Sequence, residues 1–203
     1  MVQKGSKAIL KNVVTMDETT VSYHTPTTKQ QSKQWLKKGT PGPVKAKVQA
    51  SRTKQMVLAF FDAKGLIYTN IVPRGETVNA KYIIKAQGSF MKQPILSEQE
   101  WFFNWDNAPV HTAAVVREWM AAKRFKLIEH PPYSPDLAPA DFFLFPKVKM
   151  ELAGMTLTQE TFKNTWEGVI RTIAKEDFAT AFWRWFEQCE KCFHNGSGYV
   201  KKS

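Results

Sequence analysis

The sequence predicts an α/β fold in which a mixed sheet is flanked by helices within one domain. Three strand-like segments come first, and a short turn joins two of them, so their pairing should be antiparallel. Helix-like and strand-like segments then alternate, which is typical of parallel pairing. A length of 203 residues with 43% hydrophobic residues supports one sizeable core.

The first three strands are predicted from runs of β-branched and aromatic residues. Residues 8–18 (AILKNVVTMDE) indicate a strand that ends in acids. Residues 54–61 (KQMVLAFF) and 66–72 (LIYTNIV) indicate two more strands. A four-residue hairpin loop over 62–65 should join them, with glycine at the position where a positive φ is easiest.

The middle of the chain alternates between predicted helices and strands. Residues 77–91 repeat apolar side chains four apart, which is a helical spacing, and residues 112–125 also indicate a helix. Short strands are predicted within 98–106 and 126–130. A further helix is predicted over 141–154, broken or kinked at its proline.

Two amphipathic helices are predicted near the end of the chain, within 157–194. Each repeats large apolar side chains on one face, which should pack against the core. The residues of the two apolar faces are Phe162, Trp166, Val169, Ile170 and Ile173 in the first helix and Phe178, Phe182, Trp185, Phe186 and Cys189 in the second.

The chain is strongly basic. Its 29 Lys and Arg residues exceed 18 Asp and Glu residues, giving a net charge of +11 and a pI near 9.6. No acidic residue lies between Glu18 and Asp62, and this interval is rich in Lys and Arg. Such a basic arm should attract a phosphate backbone, so nucleic acid is the predicted partner ahead of a membrane. Ordinary basic solubility is the alternative interpretation.

Seven residues of the basic arm are predicted to contact DNA phosphates. Trp35 lies within the same arm and could stack on a base or contact a partner subunit. The predicted DNA-contacting residues are Lys33, Lys37, Lys38, Lys45, Lys47, Arg52 and Lys54.

Other features of the sequence predict an intracellular protein without membrane attachment. No apolar run reaches transmembrane length, and the first residues lack the apolar core of a signal peptide. Two cysteines do not make a disulfide scaffold. Cys189, Cys192 and His194 could form a metal clip, but packing of the cysteines against the core is the favoured interpretation.

Three aspartates are predicted to lie where an element stops or starts. Asp17 should end the first strand, Asp106 should end a later strand, and Asp141 should open a helix. Converging carboxylates repel one another unless a cation lies between them, and oxygen-only ligands suit Mg²⁺ or Mn²⁺. A carboxylate site on a basic chain fits phosphoryl transfer on nucleic acid. Aspartates are also common at caps and turns, so the residue types alone leave a structural role open.

The stretch HPPYSPDLAPADFFLFP, residues 130–146, contains five prolines in seventeen positions. Because proline fixes φ and restricts the residue before it, this loop should be rigid and should hold Asp141 close to the other two aspartates. Asp136 in the same loop is interpreted as a turn or cap acid. Glu18 should face away from Asp17, because neighbouring strand residues point to opposite faces.

The sequence blocks around the three aspartates resemble those of a known family. Asp17 lies in VVTMDE, Asp106 lies in WDNAPVHT, and Asp141 lies in YSPDLAPADFFLF, with thirty-four residues between the second and third acids. In this order the blocks resemble the mariner branch of the mariner/Tc1 DNA transposases, whose catalytic triad is Asp, Asp, then Asp after thirty-four residues. The resemblance covers nearly the whole chain.

The resemblance implies an RNase H-like (retroviral-integrase-like) fold and a mechanism that uses two Mg²⁺ ions, for which Mn²⁺ can substitute. It implies that Asp17, Asp106 and Asp141 are the catalytic residues and metal ligands. The implied activity is metal-dependent cleavage and strand transfer at transposon ends. Transposon-end and target DNA are the implied partners, a homodimer is the implied assembly, and the nucleus is the implied location.

Two further residues are candidate neighbours of the metal ligands. Asn107 directly follows Asp106, and His111 lies five residues after it. For His111, a role near the scissile phosphate and a structural hydrogen bond at the start of its helix both stay open. The family often has histidine just before the second aspartate, where this chain has Trp105.

The resemblance also implies how the chain is organised. One catalytic domain should occupy 1–203, with a clamp-like basic insertion at about 24–54 and C-terminal helices over 157–194. The helix-turn-helix modules that precede this domain in the family are expected to be absent. A decayed or host-adopted remnant that binds DNA or a protein partner without cutting is the main alternative. A general RNase H-like nuclease is the third hypothesis, which the family blocks disfavour.

Overall fold

The computed structural model of the protein shows one sheet with helices on both of its faces. The described residues are 10–27, 31–33, 35–40, 53–93, 101–123, 125–128, 130–131 and 134–194. The strands within them are β1 (Val13–Ser22), β2 (Lys54–Asp62), β3 (Gly65–Ile71), β4 (Phe102–Asn104) and β5 (Lys126–Leu127). The helices within them are α1 (Ala80–Phe90), α2 (Pro109–Thr112), α3 (Ala114–Ala122), α4 (Phe145–Leu152), α5 (Gln159–Thr172) and α6 (Lys175–His194).

The sheet is mixed, as predicted, and β1 lies at its centre. The strand order is β3-β2-β1-β4-β5. β1 pairs antiparallel with β2 and parallel with β4, while β4 pairs parallel with β5. Parallel neighbours need a crossover connection, and α1 lies between β3 and β4 along the chain. The central strand is therefore held from both sides.

The predicted end of the first strand is wrong. β1 continues five residues beyond Asp17, to Ser22, which lies opposite Lys54 of β2. The strand continues because Thr19 and Val21 are still buried at alternate positions and because pairing with β2 persists. Asp17 therefore lies inside the central strand and not at its tip.

The hairpin between β2 and β3 is tighter than predicted. Asp62 pairs with Gly65, so the loop between the strands contains two residues instead of four. Asp62 Oδ1 accepts the backbone N–H groups of Lys64 (2.7 Å) and Gly65 (3.1 Å), which stabilises the turn. Gly65 has φ +140°, so the expectation of a positive φ at this glycine is confirmed.

Helices cover both faces of the sheet. On one face, called the α4–α6 face, Val13 and Val21 of β1 pack with the apolar residues of α4, α5 and α6. On the other, called the α1–α3 face, Val14 and Met16 pack with the apolar residues of α1 and α3. The alternation along β1 thus divides the core into two layers. Both predicted C-terminal helices are confirmed, with their apolar stripes on the α4–α6 face.

Capping residues set where two of these helices begin. Asn79 Oδ1 accepts the backbone N–H of Tyr82 (3.0 Å) ahead of α1. Thr158 Oγ1 accepts the backbone N–H of Thr161 (3.2 Å) ahead of α5. Each cap satisfies a backbone donor that has no partner within its helix. None of the described helices is long and apolar enough to cross a membrane.

The proline-rich stretch leads into a continuous helical segment. A 3₁₀ turn (Pro135–Leu137) and a wide π-helical turn (Ala140–Leu144) precede α4. Pro146 lies in the first turn of α4, where its missing N–H removes few helical hydrogen bonds. The predicted break at this proline takes the form of a change from π-helical to α-helical geometry at Phe145.

A tight turn after α4 ties that helix to the end of β1. Gly154 has φ +86°, and its N–H donates to the carbonyl of Thr25 (2.8 Å). The N–H of Leu157 donates to the carbonyl of Tyr23 (2.6 Å) three residues further on. A Cβ added to Gly154 would lie 2.7 Å from Cγ2 of Thr27. Both the positive φ and the close approach therefore require glycine here.

Replacing this glycine should destabilise the fold. We expect Gly154→Ala to lower the free energy of unfolding by about 1–3 kcal/mol, because a side chain is strained at positive φ and would collide with Thr27. The matched control is Gly168→Ala in α5, where an added Cβ meets nothing within 4 Å. That change should raise the free energy of unfolding by roughly 0.5–1 kcal/mol. Urea unfolding of both variants measures the difference, and effects of the same sign would contradict it.

Candidate active site

Asp17 is held by the central strand of the sheet. Its residue exposure is only 9%, and by strand alternation it lies on the same face as Val13 and Val21. The backbone on which it sits is paired on both sides, with β2 and with β4. A carboxyl group in this position has a fixed direction and little contact with water.

The parallel pairing of β1 and β4 brings Asp106 to the same end of the sheet. The last pair in this register joins Thr15 to Asn104, so two residues further along Asp106 becomes level with Asp17. Asp106 Oδ1 accepts the backbone N–H of Ala108 (3.0 Å), which closes a turn immediately before α2. The aspartate therefore begins a loop at the end of a short strand, close to its predicted position.

Asp141 reaches the site from the π-helical turn, which packs against β1. Its N–H donates to the carbonyl of Ala138 (3.0 Å). Nδ2 of Asn107 donates a hydrogen bond to the carbonyl of His130, at the start of the proline-rich stretch. Asn107, predicted as a neighbour of the site, thus connects the loop that carries Asp106 to the loop that leads to Asp141.

The three carboxyl groups influence one another electrostatically. Burial is the largest cause that raises the pKa of Asp17 to about 8, and the negative charges of Asp141, Glu18 and Asp106 contribute to the same shift. Burial and the charge of Asp106 raise the pKa of Asp141. The pKa of Asp106 is lowered, chiefly by its hydrogen bond with His111. The site therefore places the buried carboxyl of Asp17 beside two acids that water still reaches, Asp106 and Asp141.

This set of oxygen ligands suits a hard divalent cation. Among the described residues, no group of three or more His, Cys, Asp or Glu side chains is arranged as the ligands of one metal ion. Repulsion between the acids nevertheless contributes, after burial, to the raised pKa of Asp17 and of Asp141. A cation relieves such repulsion, and Mg²⁺ and Mn²⁺ take carboxylate oxygens as ligands. The acids thus fit a divalent cation by their chemistry.

His111 is buried behind the acids and bonded through both ring nitrogens. Nδ1 lies 2.6 Å from Oδ1 of Asp106, and Nε2 lies 3.0 Å from Oε1 of Glu18. Burial acts to lower the pKa of His111, but its two carboxylate partners outweigh that effect and raise it to about 10. With 1% exposure, the ring has no open path to a substrate phosphate. Of the two roles left open by the sequence, the structure shows the hydrogen-bonding one.

Sequence reasoning missed two residues of this site. Glu18 faces away from Asp17, as predicted, yet it belongs to the same network because it bonds His111. His130 is the second residue that the sequence analysis does not predict. Burial lowers its pKa, while the nearby negative charges of Asp106 and Asp141 act in the opposite direction. The only sequence signal for His130 is its place at the start of the proline-rich stretch, and that signal names no partner.

Cys189, Cys192 and Asp136, for which the sequence favours a structural role, lie in packed or turn positions. Burial raises the pKa of Cys189 to about 12, and this cysteine packs against the core, which favours the packing interpretation over a metal clip. Cys192 is also a free, partly buried thiol. Asp136 lies in the 3₁₀ turn over Pro135–Leu137, where a turn acid was predicted.

The basic segment between β1 and β2 is described in part. Trp35 is fully exposed and Leu36 is exposed beside it. Nε2 of Gln31 donates to the carbonyl of Met150 (3.4 Å), so this segment passes over α4. The exposed lysines that were predicted to contact DNA are Lys33, Lys37, Lys38 and Lys54. The predicted contacts that lie outside the described residues are Lys45, Lys47 and Arg52.

Comparison with known proteins identifies the family. The sequence profile of the DDE superfamily endonuclease family matches residues 12–163, which include all three aspartates. The chain belongs to this family. It is 31% identical over 211 residues to the mariner Mos1 transposase of Drosophila mauritiana, an alignment that covers 96% of this chain and 58% of that protein. The chain thus spans less than two thirds of its relative's length.

Solved structures of Mos1 transposase share the fold of this chain. The Mos1 catalytic domain superposes with a TM-score of 0.74 at 25% identity, covering 98% of this chain and 89% of that chain. The Mos1 paired-end complex with Mn gives a TM-score of 0.83 at 27% identity, covering 98% and 60%. The predicted RNase H-like fold and the predicted resemblance to mariner transposases are both confirmed.

The buried carboxyl of Asp17 should make the metal-free protein less stable as the pH rises. An acid whose folded-state pKa is about 8, against an ordinary value of 3.8, loses folded-state stability as the pH rises between those values. Asp17→Asn should therefore increase the free energy of unfolding in EDTA by about 1–3 kcal/mol near pH 8. The gain should vanish near pH 4, and urea unfolding at both pH values measures it.

Glu118→Gln is the control for this prediction, because it removes one negative charge from an exposed position on α3. For this variant, the change in the free energy of unfolding should not grow with pH. If Asp17→Asn changed stability equally at pH 4 and pH 8, the acid would not carry the repulsion described above.

Proposed function

We propose that this DDE superfamily endonuclease is the catalytic part of a mariner-type transposase, which cleaves DNA strands and transfers them at transposon ends. The observation that carries the proposal is the approach of Asp17, Asp106 and Asp141 to one another from a central strand, a strand end and a π-helical turn. Their effects on one another's pKa support a single site. The similarity to Mos1 transposase, including its paired-end complex with Mn, supports the same proposal.

Asp17, Asp106 and Asp141 would hold Mg²⁺, with Mn²⁺ as a substitute. When bound, two such ions can activate a water or hydroxyl and stabilise the leaving oxygen of a phosphodiester. The strand-borne Asp17 offers a ligand oxygen whose position is set by pairing on both sides. Asp141 stands on a turn that packs against the same strand, so its approach is set by tertiary contact.

The same proposal assigns partners and location. Transposon-end and target DNA would bind the basic surface, because a net charge of +11 and exposed lysines attract phosphates without reading bases. A homodimer would bring two such sites to paired ends, with the exposed Trp35 and Leu36 as apolar contacts. We also propose that the protein works in the nucleus. Retention of all three aspartates favours an active enzyme over a decayed or host-adopted remnant.

Each aspartate should be required for metal-dependent cleavage. We expect the wild-type chain to nick supercoiled plasmid with Mn²⁺ or Mg²⁺ and to be inactive in EDTA. Asp17→Asn, Asp106→Asn and Asp141→Asn should each reduce the nicking rate by roughly a hundredfold or more, because each loses an ionised ligand oxygen. Gel quantification of open-circular and linear products measures the rates.

Asp136→Asn is the matched control, because it changes an acid of the same loop that lies in the 3₁₀ turn. It should keep nicking within about threefold of wild type, since no ligand role is assigned to it. Equal loss in this control and in Asp141→Asn would remove the case for Asp141. A wild-type chain that never nicks, though folded and metal-loaded, would favour the remnant hypothesis.

The exposed lysines should supply affinity for DNA without sequence preference. Replacing Lys33, Lys37 and Lys38 with Ala should weaken binding to every duplex alike. It should also flatten the log–log salt dependence by roughly one unit per lost phosphate contact, or about three units for the triple variant. Fluorescence anisotropy with duplexes of different sequence over a salt series measures both quantities.

A triple variant of equal charge provides the control. Lys81, Lys85 and Lys92 are exposed on or just after α1, which covers the opposite face of the sheet from α4. Their replacement with Ala should change the salt slope less than replacement of the three lysines between β1 and β2. Loss of affinity for only one duplex sequence would show that the basic segment reads bases, against this account.

A further inference from the structure

The ring of His111 is restrained by one stacking contact and by two hydrogen bonds. The ring stacks face to face on Trp105, with centroids 4.8 Å apart and an interplanar angle of 6°. Its two nitrogens face Asp106 on one edge and Glu18 on the other. Stacking prevents the ring from tilting, and two hydrogen bonds prevent it from rotating about its own axis. A side chain held in this way can fix the position of a partner.

Both ring nitrogens of His111 must donate. Each faces a carboxylate oxygen, which only accepts when ionised, so the geometry requires N–H groups at Nδ1 and at Nε2. The ring therefore connects the two acids directly, at 2.6 Å to Asp106 and 3.0 Å to Glu18. Hydrogen bonds to carboxylates are stronger than neutral ones, so the connection from Glu18 through His111 to Asp106 should be stiff.

The two oxygens of Asp106 are used unequally. Oδ1 accepts from His111 (2.6 Å) and from the backbone N–H of Ala108 (3.0 Å). Within the described part of the chain, no hydrogen bond ends on Oδ2 of this residue, and its side chain is 42% exposed. The protein thus occupies one oxygen of Asp106 and leaves the other available, in a residue that lies close enough to Asp17 and Asp141 to raise the pKa of both.

We propose that His111, braced by Glu18 and Trp105, is a positioning residue that holds Oδ1 of Asp106 and presents Oδ2 to the divalent cation. The inference rests on the proposed function, because it assigns a metal ligand oxygen. It also gives the neighbouring acids of β1 separate roles: Asp17 faces the site, while Glu18 supports it from the other face of the sheet. Trp105 completes the support by covering the ring of His111.

Metal affinity tests the positioning role through two substitutions of His111. Calorimetric titration of the full chain with Mn²⁺ is the readout, and unfolding in EDTA shows whether each variant is folded. His111→Asn places an amide N–H near the position of Nδ1 and can still donate to Asp106. His111→Gln extends its amide towards the position of Nε2 and loses that donor. We expect Gln to weaken Mn²⁺ binding by roughly 30–100-fold and Asn, which loses only the bond to Glu18, to weaken it by roughly five- to tenfold.

Two substitutions of Glu18 test the brace without touching Asp106. Glu18→Gln and Glu18→Ala both remove the negative charge, but only Gln keeps an oxygen that accepts from Nε2 of His111. We expect Ala to bind Mn²⁺ roughly five- to tenfold more weakly than Gln. Thr20→Ala, an exposed change two residues further along the same face of β1, is the control and should bind as wild type does.

The combined variant shows whether both residues act along one path. If Glu18 acts through His111, the difference between its two substitutions should disappear once His111 is replaced. In the His111→Gln variant, Glu18→Ala should therefore weaken Mn²⁺ binding no more than Glu18→Gln does. Equal Mn²⁺ affinity of wild type, His111→Gln and Glu18→Ala would overturn the positioning role while leaving the metal site intact. Absence of Mn²⁺ binding by the wild-type chain would instead overturn the proposed function and this inference together. If His111→Gln does not fold, the comparison of the two Glu18 variants decides.

Discussion

The rest of the structure depends on one constraint, which is that the carboxyl group of Asp17 is buried in the central strand close to two further acids. Burial and the negative charges of Asp141, Glu18 and Asp106 together raise the pKa of Asp17 to about 8. Such an arrangement opposes folding, so it must be imposed by stronger features elsewhere. The central position of β1, with a paired strand on each side and helices over both faces, supplies these features.

Within the protein, His111 offsets part of the repulsion among the acids. Behind the acids, the cationic ring of His111 lies between Asp106 and Glu18, and Trp105 covers its face. The Asp106 side chain nevertheless stays 42% exposed. A buried histidine is therefore compatible with a cation site, because it bonds one oxygen of Asp106 and leaves the residue accessible.

Charge on a larger scale agrees with this local arrangement. The chain carries an excess of basic residues, yet three of its acids lie close together beside β1 and β4, and the segment between β1 and β2 exposes lysines. A polyanion drawn to the basic surface would meet these acids, which we propose hold divalent cations. Membership of the DDE superfamily endonuclease family and the fold shared with Mos1 transposase support the proposal that this polyanion is DNA.

The sequence by itself determined the order of the elements, the mixed sheet, the apolar stripes of α5 and α6, and the three aspartates, because periodicity and motif spacing are local properties of the chain. It did not determine that β1 continues to Ser22, since that depends on pairing with β2. It also gave no sign that Glu18 and Asp106 share His111, because strand register and the placement of α2 bring together residues that are 93 positions apart. Contacts of that kind exist only in the folded chain, where burial makes each hydrogen bond to a charged group decisive.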